Sequence, residues 1–272
     1  MNGELAALIA LTLHGNDWLA SGSGPAPDLD TANSAFQYVA TVQATSPRRR
    51  LLGTRTWTAE GVGAWLRFVK DTKARRLSLV VGGSPSSGLP DPVAASFANG
   101  GRWALVSDGP SPRLWRSQWV VQDRNRPDQR IWAVRLIGDP LRRPWRAEPP
   151  ASLTVARDDL RSALETIRAF AERAELTTWA AWFGEALDLL AAPEALIPYN
   201  PDLAPATLSV ESRQLLAAAV KAWVFGGMGS WNDLGFDDEA LQAEYAQRTG
   251  ILYGSVLAAL VAVTGAPMRR AA

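Results

Sequence analysis

Apolar positions in this 272-residue chain follow one period before residue 150 and another after it. In the first part the dominant signal is alternation, which puts successive side chains on opposite faces of an extended strand. Trp115, Ser117, Trp119 and Val121 fall on one face of one run, and Trp132, Val134 and Leu136 on one face of another, with the polar stretch 124–129 between them. So short a connection makes the two strands antiparallel neighbours. Further strands are expected at 35–44, where Phe36, Tyr38, Ala40 and Val42 alternate, at Leu77, Leu79 and Val81, and at 102–107 behind the turn signal Asn99-Gly100-Gly101.

Helical spacing interrupts this pattern twice. Leu5, Leu8, Ile9 and Leu13 stripe a helix over 4–19 that the Ser-Gly-Ser-Gly-Pro run at 21–25 terminates. Thr58 is expected to cap a second helix, whose Val62, Trp65, Leu66 and Val69 recur at i, i+3, i+4 and i+7, with Glu60 near the positive end of its dipole. The first 140 residues thus read as a small, mainly antiparallel sheet of about five strands with a packed helix.

The stretch 141–150, LRRPWRAEPP, is rich in proline and arginine and makes the best boundary. Beyond it the period is helical. Leu160, Leu164, Ile167 and Phe170 stripe one helix, and Trp179, Trp182, Phe183, Ala186, Leu187 and Leu190 the next, which Pro193 stops. After a proline-rich loop at 197–205, Leu215, Leu216, Ala219, Val220 and Trp223 mark a third, and a last helix or helix pair starts at Asp237 and runs to about Thr264. The fold class is α+β, with a sheet domain at 1–140, a linker at 141–150 and an α-helical domain at 151–272.

Composition narrows the chemistry. Twelve tryptophans stand beside one histidine and no cysteine, which removes disulfides, thiolate nucleophiles and cysteine-ligated metals. No established cofactor or catalytic signature is present, so no cofactor, metal site or catalytic residue is assigned. His14 is the sole imidazole; no nucleophile-elbow motif accompanies it, and it reads as a helix-end histidine near the last carbonyls. The net charge of +1 conceals an asymmetry: residues 1–150 hold 19 Lys+Arg against 12 Asp+Glu, and the remainder 9 against 15. Two halves that attract each other account for this better than a nucleic-acid face, because the basic residues are dispersed. No Lys or Arg precedes Arg48, so a secretory leader is not expected and the cytoplasm is. The apolar stretch 251–263 is too short for a membrane span, so no membrane partner is expected.

The densest run of unusual residues is 223–239, WVFGGMGSWNDLGFDDE. Its glycines, Gly226, Gly227 and Gly229, break the preceding helix, while Trp231, Asn232 and Asp233 offer an aromatic anchor beside hydrogen-bonding groups. Gly227, Gly229, Trp231, Asn232 and Asp233 are therefore the candidate partner-binding residues. The competing account is a helix C-cap, a tight connection and an acidic start for the next helix, with Asp237 as its cap and Trp231 in the core. Asp233, Asp237 and Asp238 lack the ligand spacing of a calcium loop. On the strands, Trp115, Trp119 and Trp132 interleaved with Arg113, Arg116, Arg130 and Arg135 resemble a single-strand nucleic-acid surface, but alternation puts the tryptophans in a core and Arg116 opposite. The arginine runs at 48–50, 75–76 and 142–143 are expected in solvent.

These features favour a non-enzymatic protein that binds a protein partner, such as a cytoplasmic inhibitor of the immunity type. The alternatives are a carboxylate-dependent hydrolase with an aromatic-lined site and a nucleic-acid-binding module.

Overall fold

A computed structural model describes residues 1–50, 53–82, 88–141 and 150–267. It is an α+β protein with one six-stranded sheet and a helical second half. The strands are β1 (Val39–Arg50), β2 (Gly53–Glu60), β3 (Leu77–Val81), β4 (Trp103–Ser107), β5 (Arg113–Val121) and β6 (Trp132–Pro140), in the order β2-β1-β6-β5-β4-β3. Four of the five pairings are antiparallel, and the exception is β1 with β6. The chain runs β3 to β6 as a meander whose last strand returns alongside β1.

Alternation explains which face of the sheet is covered. Trp115 and Trp119 of β5 are buried while Arg116 is exposed, and on β6 Val134, Leu136 and Gly138 are buried while Arg135 is exposed. Trp115 lies across Gly138, its register partner; a Cβ on Gly138 would stand 2.5 Å from the indole ring. Only glycine allows that approach. The buried Ser46 hydroxyl donates to the Gly138 carbonyl at 2.7 Å and accepts from Arg113 Nε at 2.9 Å, so the polar groups of this core are joined to one another.

The helices are α1 (Gly3–Ser21), α2 (Leu29–Ala32), α3 (Val62–Asp71), α4 (Asp91–Ala94), α5 (Leu153–Arg173), α6 (Thr177–Leu189), α7 (Val210–Lys221) and α8 (Glu239–Gly265). α1 is buried on nearly every side from Glu4 to Leu13, more than a single stripe implies. It packs on β3 and β4, on α3 and on α8, and α8 also rests on β3. Gly22, at φ 68°, ends it. In the second half α5 packs on α6 and α8, and α7 on α6 and α8, with Ser152 and Ser209 capping α5 and α7 as helix starts require. The buried side chains of both halves join in one hydrophobic cluster.

Several local expectations change. Thr58 and Glu60 belong to β2, an unanticipated sixth strand; α3 starts after Gly61, and Asp30 takes the capping role by accepting from the Val62 N–H at 3.0 Å. Residues 34–36 form a 3₁₀ turn, and β1 begins at Val39 and runs to Arg50. The last helix is a single 27-residue α8 capped by Asp238, whose side chain accepts from Leu241 N–H; Asp237 lies outside it. By length and composition α8 could cross a membrane, but Leu252, Val256, Leu260 and Val263 pack into the core. The expected boundary at 141–150 lies, except for its two ends, outside the described residues, as do residues 84–87 of the loop expected at 84–92, Arg142-Arg143 and the side chains of 48–50.

Candidate functional site

The five residues expected to bind a partner separate into two groups. Trp231 is fully buried and so cannot serve as an exposed anchor. Phe183 and Trp179 meet its ring edge-on at centroid distances of 5.1 and 5.5 Å, its indole N–H donates to Thr249 Oγ1 at 2.8 Å, and its carbonyl accepts from the Tyr245 hydroxyl at 2.5 Å. Burial pushes the Tyr245 hydroxyl up to about 12, so it remains a donor. A large aromatic flanked by rings gains more by burial than by exposure, which is why packing prevails here. Asn232 spends its side-chain amide on the Pro92 carbonyl at 3.0 Å, and the Asp233 carboxylate accepts from the Gly229 and Ser230 N–H groups, closing a capping box around the 3₁₀ turn Trp231–Asp233. Gly227 and Gly229 stay exposed, with Gly229 at φ 82°, and the turn they make leaves Met228 fully exposed between them.

Those two glycines line a pocket of about 730 Å³ between the sheet half and the helical half. Trp119 of β5 and Trp132 of β6 form one wall, their rings 6.0 Å apart. Trp179 and Trp182 of α6, at i and i+3 and so on one helix face, form another at 6.2 Å. Trp223 and Phe225, just past the end of α7, meet edge to face at 5.4 Å and complete the lining together with the glycine turn. Trp119 and Trp223 are buried and the other three tryptophans half-buried, so the rings are partly open to an occupant. The indole N–H of Trp119 is buried without an acceptor, an unspent donor on the sheet wall.

The first turn of α1 brings Glu4 to the pocket. Asn2 caps this helix, accepting from the Glu4 N–H at 2.8 Å and donating to the Ala95 carbonyl at 2.8 Å. The Glu4 carboxylate accepts from the Ser117 hydroxyl at 2.6 Å and from the Asn99 N–H at 3.2 Å. Burial raises its pKa above the ordinary 4.5, while these two bonds oppose the rise. The Trp103 indole N–H, which meets no acceptor within hydrogen-bonding geometry, lies near enough to the carboxylate to favour its charge as well. Among the described residues no Lys, Arg or His side chain pairs with Glu4 or lines the pocket.

Neither other reading of the residues gathers a site. His14 sits within α1, not at its end; its Nε2 donates to the Asp202 carbonyl at 3.0 Å, joining the 197–205 loop to the core. Burial lowers it below the ordinary 6.5. Among the described residues no group of three His, Cys, Asp or Glu comes together as metal ligands, and Asp233 and Asp238 are spent on caps. On and between β5 and β6, Arg116 pairs with Asp139, Arg126 with Asp128, and Arg130 donates to the carbonyls of Val39 and Asp30, while Arg135 is exposed. The signal for the pocket was the tryptophan count itself, but six aromatics and one acid from five separate segments have no spacing rule to join them.

No protein family matches this chain, and neither does any curated protein or any solved structure.

Proposed function

We propose that this protein acts by binding, without chemistry of its own, and that it binds a small organic ligand in the tryptophan-lined pocket. The carrying observation is the concentration of five tryptophans and Phe225 around about 730 Å³, a volume in the range of ligand sites. Such a concave, ligand-sized space favours a small occupant over the flat apolar patch that a protein partner would need. Two-carboxylate hydrolysis has less support, because Glu4 is the only acid among the described lining residues and a glycosidase-type mechanism requires a second. Both serine hydroxyls at the pocket are engaged: Ser96 Oγ donates to the Val93 carbonyl and Ser230 Oγ to the Gly226 carbonyl, so neither is poised by a base. A nucleic-acid surface has less support too, since of the four arginines interleaved with the strand tryptophans Arg113, Arg116 and Arg130 are bound within the protein and Arg135 alone is left for phosphate.

A thermal-shift screen of small organic compounds, repeated on Trp132→Ala and Trp182→Ala, tests this reading. Compounds that raise the melting temperature of the wild type are expected to lose their effect in both variants. Compounds whose shift survives in both variants would place the site elsewhere.

A further inference from the structure

Three properties of the pocket bear on the chemistry of its occupant. The first is the wall itself, since indole carries the strongest negative face of the natural side chains and attracts a cation set over it. This fold already contains such a contact: the Lys221 ammonium lies 3.5 Å from the centroid of the Trp182 ring, with Glu185 2.5 Å away to balance its charge. The second is Glu4. Buried carboxylates are ordinarily paired with a cation, yet among the described residues Glu4 has hydrogen bonds and no cationic side chain. The Met1 amine, which also lines the pocket, does not fill that role at neutral pH, because burial lowers it to about 6. The third is the scarcity of free polar groups. Asn2, Ser96, Ser230 and Glu4 are all engaged within the protein, so an occupant with many hydroxyls would leave most of its hydrogen bonds unmade.

Resting on the pocket being the binding site, we infer that its occupant is an organic cation, an alkylated ammonium whose apolar substituents lie against the five tryptophans and whose charge is met by Glu4. A sugar would also stack on indole faces, but its several hydroxyls would find little to bond to beyond the Trp119 indole N–H and the Thr178 hydroxyl. A neutral aromatic would fill the volume and leave the Glu4 charge without a counter-charge.

The probes are benzyltrimethylammonium and its uncharged isostere neopentylbenzene, titrated against the full chain by tryptophan fluorescence. The cation is expected to bind about tenfold or more tightly than the isostere, and Glu4→Gln to reduce that preference by about tenfold, leaving only what the indole faces contribute. Equal affinity of the wild type for the two probes would overturn the cation assignment and leave the pocket as a binding site. Binding of neither probe would overturn the pocket as the site and the assignment with it. A preference undiminished in Glu4→Gln would remove Glu4 from the recognition and overturn the inference. The wild-type comparison keeps its force even where the variant fails to fold.

Discussion

The Ser117 hydroxyl donates to the Glu4 carboxylate at 2.6 Å across 113 residues of chain, tying the first turn of α1 to the middle of β5. Through this bond the acid of the pocket is held by the sheet as well as by its own helix. A buried carboxylate with no cationic side chain beside it is costly to the fold.

That cost has a pH signature. Because burial holds the Glu4 carboxyl above its ordinary 4.5, the folded state binds its proton more tightly than the unfolded chain does. Its contribution to stability is complete below the unfolded value and declines as pH rises through the raised one. Glu4→Gln has no such dependence. The melting temperature of this variant minus that of the wild type should therefore increase from pH 4.5 toward neutrality, as calorimetry across the interval would record. A difference that shrinks would mean the carboxyl is held below its ordinary value.

His14 should act with the opposite slope. Its folded value is depressed, so the unfolded chain takes up the proton first as acid is added, and stability is lost as pH falls below 6.5 through the lowered value. His14→Gln can keep a donor to the Asp202 carbonyl without titrating. Denaturant midpoints of the two proteins should run parallel above pH 6.5 and diverge below it, the wild type losing more. Ligand binding should be the same in both, since His14 does not line the pocket.

Much of the architecture is legible in the sequence because it depends on local periodicity. The alternation in β5 and β6 and the helical stripes of α5, α6 and α7 survive into the structure, as each is a face that must be buried. β2 escaped because GTRTWTAE is polar on most of its length and gains its place by pairing with β1 at the sheet edge. Thr58, legible as a cap, is instead a register partner of Thr45. In the 223–239 run local composition cannot tell which side of the turn faces solvent; Trp231 faces inward because α5, α6 and α8 supply rings around it. Glu4 carried no signal at all, since an acid in the first turn of a helix is ordinary until β5 is seen beside it.

Trp231→Ala should cost about 3–5 kcal/mol, the range for truncating a buried aromatic. Asp233→Ala should cost about 0.5–2 kcal/mol through loss of its cap bonds to Gly229 and Ser230. Urea unfolding of the two variants separates these sizes. Equal small losses would mean that Trp231 contributes little to the packing.

Gly138→Ala should be destabilising by about 1–3 kcal/mol, because the added methyl meets the Trp115 ring and the core must shift to admit it. Combined with Trp115→Leu, the total loss should be less than the sum of the two separate losses. Additive losses from the two substitutions would show that the close approach is not the cause.

The halves should unfold together. α1 and α8 touch each other and both rest on β3, so neither the sheet nor the helices can be exposed alone without opening the shared core. Circular dichroism and tryptophan fluorescence should report one coincident transition in urea. Two separated transitions would show that the halves are independent units.

The burial of α1 on nearly every side also sets a problem of timing. On the ribosome this helix is made well before α8, and chain growth at about 5–20 residues per second leaves its leucines without their final neighbours for many seconds. During that interval a segment that reads ELAALIALTL is an apolar strip exposed to the cytosol or to whatever receives nascent chains. The helix that organises the finished interior is thus also the part of the nascent chain most in need of protection until its last wall has been synthesised.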